Sequence, residues 1–243
     1  MPLFPLGTVL LPGASLPLHI FEPRYRQMTI DLVTGAVPDK QFGVVAVREG
    51  WNPDDGRGGL HDVGCTARLR EVRRLPDGRF DVQTQGDRRF RLLEVDDTAA
   101  PYLVGTVEWL PDLEGDDSDD LAPLAMAARA AHRRYCTTAW RARGPESEET
   151  DDDEGDGTER PEVDDATVAT EPDAGVDSAE LAHVLAGDCL LPLDDRQDLL
   201  AETCAAERLR MVRALMVREA GLLGELHAVW APTARFAVQH SRN

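Results

Sequence analysis

Lysine is almost missing from this chain: of 26 basic side chains, 25 are arginine and one, Lys40, is lysine. A phosphate-binding loop needs the string GxxxxGK[ST], because its lysine reaches the phosphates, and no such string occurs. A serine–lysine hydrolase would have to use Lys40, which lies in the polar stretch PDKQ rather than in the apolar pocket that turns a lysine into a base. ATP hydrolysis and serine–lysine proteolysis are both set aside on this ground. Cysteine is scarce and scattered. Cys65, Cys136, Cys189 and Cys204 form no CxxC pair, and a domain of this size needs no disulfide framework. No apolar run approaches ~20 residues, so no membrane-spanning helix is expected. The N-terminus is apolar, but it has no base before Arg24 and is interrupted by Pro2, Pro5, Pro12 and Pro17. That pattern argues against a signal peptide and for a cytoplasmic protein.

Acid is abundant and unevenly placed. The formal net charge is −19, with 16 Asp/Glu against one Arg in residues 146–180 and six acids without a base in residues 112–120. Removing these net charges of −15 and −6 leaves +2 for everything else. The folded body is close to neutral, and the low pI describes two loops rather than a partner. A hydrophobic content of 42% suffices for one generous core or two small ones.

Residues 1–111 read as strands and tight turns. Val9–Leu11 and Leu16–Ile20 are short apolar runs about the turn pair Pro12-Gly13. Pro23 opens a helix expected to run to about Val33, since its fixed φ suits a first turn. Phe42–Val47 suits a buried strand. Val63–Leu75 and Arg79–Val95 flank the hairpin signal Pro76-Asp77-Gly78, and Tyr102–Leu110 is a last strand. Helical periodicity then takes over within 118–143, where Leu124, Ala128, Ala131 and Tyr135 share a face. Residues 144–176 have the composition of a disordered acidic insert. The segment 177–226 reads as a helical unit, with Asp177 and Glu180 as a capping box and one long helix from about Asp195 to Leu223, followed by a tail at 227–243. The fold class is α+β, a β domain followed by a helical packing unit.

Several motifs fail on inspection. His132 and Cys136, four apart on a helix, could touch one metal, but His183 and Cys189 are six apart and supply no matching second pair for zinc. Asp152, Glu154, Asp156 and Gly157 imitate the start of a calcium loop, whose later ligand positions fall on Arg160 and Val163. No metal, cofactor or catalytic set is expected. Arg68, Arg70, Arg73, Arg74, Arg88, Arg89 and Arg91 invite an RNA reading. Aromatics amount to only 5%, and Asp77, Asp81 and Asp87 dilute the field, so nucleic acid is ranked low. The acidic insert is read as a solvated linker, or as a screen folding back on Arg129, Arg133, Arg134, Arg141 and Arg143.

The segment PLFPLGTVLLPGASLPLHIFEPRYRQM, residues 2–28, resembles the opening of the Lon protease N-terminal (substrate-binding) domain family. The match continues through Phe42-Gly43-Val44-Val45, Val63-Gly64-Cys65, Pro76-Asp77-Gly78 and Gly86-x-x-Arg89-Phe90, and resumes at Asp194–Leu209 with Gln197, Leu199-Leu200 and Arg208-Leu209. The resemblance implies a PUA-like β pseudo-barrel over 1–111 with a C-terminal α-helical unit. It also implies a non-catalytic, stand-alone protein-binding module that holds exposed segments of client proteins, with a protease or chaperone complex as the further partner. The candidate contact residues are Phe21, Glu22, Arg24, Tyr25 and Arg26, since aromatics and arginine anchor interfaces. A structural reading stands beside this one: Phe21 and Tyr25 would pack a helix face, and Glu22 would favour that helix's N-terminus. The alternative function is a small-ligand protein or enzyme with a polar site at the barrel–helix junction, drawing on His19, Glu22 and His61.

Overall fold

The computed structural model describes residues 1–50, 57–113, 121–142 and 175–226. In chain order the elements are β1 (Leu3–Leu6), β2 (Ser15–Ile20), α1 (Pro23–Thr34), a 3-10 turn (Pro38–Lys40), β3 (Gln41–Ala46), β4 (Val63–Arg74), β5 (Phe80–Asp96) and β6 (Val104–Trp109). The helices α2 (Leu121–Ala142), α3 (Ser178–Gly187), α4 (Leu193–Ala201) and α5 (Ala205–Leu226) follow. The class is α+β, a mixed, barrel-like sheet with five helices.

The sheet runs β1-β3-β4-β5-β2, with β6 also on β5. The 17 residues of β5 serve two neighbours in turn: Phe80–Gln85 pairs with β2 and Phe90–Asp96 with β6. At the far side β6 returns to β1, where Leu3 N–H donates to Leu103 O at 2.8 Å and Gly105 N–H to Met1 O at 2.8 Å. Those bonds close the barrel. Strand β2 is left at an edge, the one place where Pro17 is tolerated, because proline brings no N–H to a ladder. Helix α1 begins with Pro23 in its first turn and ends at Gly35, whose φ of 84° is a left-handed cap. The turn at Pro76-Asp77-Gly78 joins β4 to β5, with Leu75 N–H donating to Arg79 O at 2.8 Å.

Two expectations are corrected. Val9–Leu11 is no strand: the first strand is Leu3–Leu6, parallel to β3 in the register Leu3↔Gly43 to Leu6↔Ala46. All of Val9, Leu10 and Leu11 are buried, so the run is apolar because it crosses the core, not because it alternates across a sheet. The long helix expected from Asp195 to Leu223 is two helices, broken at Glu202–Cys204. Glu202 is extended at φ −67°, ψ 124°, and its carboxylate accepts from Cys204 N–H at 2.7 Å in the turn before α5.

One aromatic ring explains several of the motifs. Phe90 is fully buried with Leu3, Val45, Leu60 and Leu92 inside the barrel. A Cβ added to Gly64 would stand 2.5 Å from its Cζ, and one added to Gly43 2.8 Å. Both strands need glycine for the ring to lie flat between them, and burying such a side chain is worth about 1.5–3 kcal/mol. Gly86 has a related duty. The Val9–Ala14 loop lies directly on β5 there, with Gly13 N–H donating to Gly86 O at 2.9 Å and Gly86 N–H to Ala14 O at 2.8 Å. A side chain on Gly86 would run into the backbone carbonyl of Leu11.

The helical unit packs through α2 on α5, with small Ala125, Ala128 and Ala131 and larger Tyr135 buried on one side and Leu209, Val212, Met216 and Ala220 on the other. Polar side chains then fasten it to the barrel. Gln197 donates to Val63 O at 3.0 Å. Arg89, on β5, donates to the carbonyls of Leu200 at 2.9 Å and Glu202 at 2.6 Å and pairs with Asp112. Arg208, on α5, donates to both Asp112 oxygens at 2.9 and 2.7 Å, to Glu202 O at 2.9 Å and to Ala179 O at 2.6 Å. Those bonds hold the carbonyls exposed by the break between α4 and α5.

Asp112→Asn is expected to lower unfolding stability by about 3 kcal/mol in urea titrations, because it leaves two buried guanidinium groups without a carboxylate. A loss below a few tenths would mean the cluster is hydrated rather than buried. Gly86→Ala should cost about as much through the Leu11 carbonyl, which belongs to the backbone and cannot step aside as a side chain can. An unchanged midpoint would refute that contact.

Candidate functional site

The five residues singled out in FEPRYR do not share one fate. Tyr25 is buried, its ring stacked on Phe4 with centroids 4.1 Å apart, and burial pushes its hydroxyl up to about 12. It anchors α1 to the barrel. Arg24 lies over the outer face of that ring, 4.6 Å from the centroid, and its Nε donates to Glu22 at 2.9 Å. Glu22 stands at the N-cap position but makes no side-chain capping bond, being held by Arg24 instead. Arg26 lies against Gly78 in the β4–β5 turn. Phe21 precedes the helix and is 50% exposed, facing His19 at 6.5 Å between ring centroids. The expected joint packing of Phe21 and Tyr25 is thus replaced by one buried ring and one exposed ring.

Further along α1, Ile30 and Val33 are 41% and 50% exposed, at i+4 and i+7 from Arg26. Phe21 before α1 and Ile30 and Val33 on it are thus exposed apolar side chains, with Arg24 and Arg26 of the same helix half-buried. Beside Phe21, His19 Nδ1 meets Asp81 at 2.7 Å, Arg73 meets Asp81 at 2.6 Å, and Arg79 reaches His19 Nε2 at 3.0 Å. Hydrogen bonds from His19 and then Arg73 hold the Asp81 carboxyl below its ordinary range. The sequence signal for Ile30 and Val33 was available, since two large apolar residues fall on the outer face of a helix whose inner face already holds Tyr25, Met28 and Leu32.

The three groups proposed for a polar junction site are not brought together. His19 is bound to Asp81, Glu22 to Arg24, and His61 lines a separate groove of about 690 Å³ with Val47, Arg48, Pro192, Leu193 and Asp194. Burial, with Arg48, lowers His61. A different junction cleft does exist, of about 240 Å³, between the middle of β5, the end of β6 and the helices α3 and α5. Trp109 and Arg88 stand at its rim, with the guanidinium 4.0 Å from the indole centroid, and His183 and Arg208 form part of its wall. In the sequence His183 stands out only beside Cys189, as a metal pair that fails. Its burial follows from α3 packing on α5, which no local pattern announces.

The other chemistry-bearing clusters are quiet. Cys136 Sγ lies 3.5 Å from His132 Nε2, which lies 3.6 Å from Asp188, a Cys–His–acid set that spacing alone could not assemble. Burial and Asp188 push the Cys136 thiol up, and burial pushes His132 down. Both shifts run opposite to those of an activated thiolate–imidazolium pair. The hairpin arginines are engaged as well: Arg68 with Asp87 at 2.7 Å, Arg73 with Asp81, Arg70 with Gln85 and Arg89 within the junction. The acidic insert as far as residue 174 and the calcium-like string lie outside the described residues, while Val176 at its end packs against the core. No described helix is long and apolar enough to cross a membrane.

Burial, reinforced by Arg208 and Arg89, depresses His183 to about 3. As pH falls below about 6.5 the unfolded chain takes a proton that the folded chain refuses, so stability present above that pH is lost toward pH 3. This one residue should contribute a decline of about 1.4 kcal/mol per pH unit. Urea midpoints of the protein and of His183→Gln, compared from pH 7 to pH 5, are expected to fall less steeply in the variant. Equal slopes would show that His183 ionises as readily folded as unfolded.

A family model for the ATP-dependent protease La (LON) substrate-binding domain matches residues 1–218. The Lon protease of Anaeromyxobacter dehalogenans (strain 2CP-C) is 27% identical over 226 residues, which are 92% of this chain and 24% of that protein. Lon protease 4 of Sorangium cellulosum (strain So ce56) is 30% identical over 227 residues, 93% of this chain and 24% of its own length. The chain thus spans about a quarter of the length of these relatives. A Lon N-terminal domain protein from Xanthomonas campestris superimposes with a TM-score of 0.54 at 25% identity, covering 88% of this chain and 96% of that one. The N-terminal domain of a Mycobacterium avium complex Lon protease gives 0.56 at 17% identity over 89% and 97%, a likeness of fold alone. With its barrel, most of its helical unit and the buried bonds between them inside the matched residues, the chain belongs to the Lon substrate-binding domain family.

Proposed function

We propose that this protein is a non-catalytic protein-binding module that holds exposed segments of client proteins on the outer face of α1. The observation that carries the reading is the exposure of Phe21 just before α1 and of Ile30 and Val33 on it, with half-buried Arg24 and Arg26 on the same helix, which Tyr25 fixes from beneath. An aromatic and two aliphatic side chains supply area that a client's apolar residues would cover. The arginines supply directional bonds and help exclude water at the edge. Membership of a family named for substrate binding supports the same reading, and so does the detuned state of Cys136 and His132. Handing the client to a protease or chaperone complex would be the downstream step.

The test uses a reduced, carboxymethylated protein that cannot refold, labelled with a fluorophore, as the client. Phe21→Ala and the double variant Arg24→Ala/Arg26→Ala are each expected to weaken its binding tenfold or more, about 1.4 kcal/mol, with the melting temperature within a degree or two of the parent. Parallel loss of binding and melting temperature would assign these residues to structure. Undiminished binding in both variants would move the client surface elsewhere on the molecule.

A further inference from the structure

The β4–β5 turn adjoins the start of α1, and the charges where they meet do not balance. Arg79 donates from Nε to Asp77 at 2.5 Å and from Nη1 to His19 Nε2 at 3.0 Å. His19 Nδ1 meets one Asp81 oxygen at 2.7 Å, and Arg73 donates to the other at 2.6 Å. Both acids of the turn are thereby engaged. The exposed Phe21 ring stands beside this row, its centroid 6.5 Å from that of His19. Arg26 comes to the same turn from α1, its Nη2 3.5 Å from where a Cβ on Gly78 would stand. Its guanidinium is half-buried and meets no acceptor among the described residues. Arg24 differs, since Glu22 holds both its Nε and its Nη2 at 2.9 Å.

A half-buried guanidinium has given up part of its hydration, and an acceptor must come from outside to restore it. The charge of that acceptor can be read from the neighbours. Arg26, Arg73 and Arg79 stand against Asp77 and Asp81, which leaves one positive charge in excess. An ammonium would add to the excess. A phosphate dianion would exceed it and lie against two acids, and nucleic acid would find two of the three arginines already neutralised and a single exposed ring to stack on. One carboxylate matches it, and planar guanidinium suits a carboxylate best. The setting of Arg26 places that carboxylate within a segment. Phe21 lies before it, and exposed Ile30 and Val33 follow four and seven residues later on the same helix face. Apolar surface thus stands on both sides of the unpaired charge.

We propose that the client segments held on α1 carry an Asp or Glu between apolar residues, its carboxylate seated on Arg26 beside the β4–β5 turn while the apolar side chains cover Phe21 on one side and Ile30 and Val33 on the other. That preference rests on the client-binding reading given above and narrows its substrate class to acidic-apolar segments. Because the ion pair forms at a half-buried position, it selects among clients by a modest factor and weakens with salt.

The experiment measures, by fluorescence anisotropy, the binding of four labelled peptides to the intact protein. They share one pattern of Phe and Leu, are acetylated and amidated so that no terminal charge remains, and differ at a central position bearing Glu, Gln, Lys or phosphoserine. The Glu peptide is expected to bind about fivefold tighter than the Gln peptide, with Lys the weakest and the ratio shrinking as salt is raised. Arg26→Gln should bring the Glu-to-Gln ratio within about twofold of unity, and Arg26→Lys should keep part of it. Phe21→Ala should weaken both peptides and leave their ratio intact. Equal binding of Glu and Gln peptides by the parent protein would overturn the proposal, and so would a ratio that survives Arg26→Gln. Phosphoserine binding about tenfold tighter than Glu would also overturn it, in favour of phosphorylated partners. The peptide series on the parent protein decides the preference even where a variant melts early. Failure of every peptide, together with failure of the carboxymethylated client, would sink the client reading itself. Equal Glu and Gln binding that Phe21→Ala still weakens removes only the acidic preference.

Discussion

Two arginines, one from the barrel and one from the last described helix, close on one aspartate, and the placing of the helices depends on that closure. Arg89 reaches from β5, Arg208 from α5, and Asp112 sits between them on the segment that follows β6. Hydrophobic burial alone would let the helical unit slide or rotate over the barrel, because apolar contact has no direction. Guanidinium–carboxylate and guanidinium–carbonyl bonds do have direction. They set where α4 stops, which carbonyls stay free at its end, and how α3 lies across α5. The junction cleft is the space left over by that geometry.

Much of the fold was legible in the residues. Pro23 marked the start of α1 and Pro76-Asp77-Gly78 the β4–β5 hairpin, because each acts through its own backbone. What escaped was decided by distant partners. Val9–Leu11 looked like a strand because a run buried on every side has no periodicity to betray its conformation. The break after Ala201 was invisible because the residues 202–204 carry no proline or glycine. The extended backbone there is held by side chains from β5 and α5. The site divided along the same line. FEPRYR was recognisable as surface chemistry, but pairing Phe21 with Tyr25 assumed both lay on a helix, and Phe21 falls before its N-cap. His183 gave no local sign at all.

The motifs that carry the family likeness are mostly instructions for folding. Gly43 and Gly64 make room for Phe90, Gly86 admits the loop ending at Ala14, and Gln197, Arg89 and Arg208 bind barrel to helices. None of these needs to touch a client. The outward residues of α1 and the rim at Arg88 and Trp109 lie on the same scaffold under no such constraint. A family likeness written in interior residues fixes the platform and leaves its load open.

The Arg89 contacts also impose a timetable. The carbonyls it must reach belong to Leu200 and Glu202, 111 and 113 residues downstream. At roughly 5–20 residues per second a ribosome delivers them about 6–22 s after Arg89 itself. Asp112, only 23 residues on, arrives first and can neutralise the charge in the interval. A nascent barrel therefore passes through a stage in which β5 holds its ion pair at the surface, wet and mobile. Only the arrival of the final helices turns that pair into an interior bond.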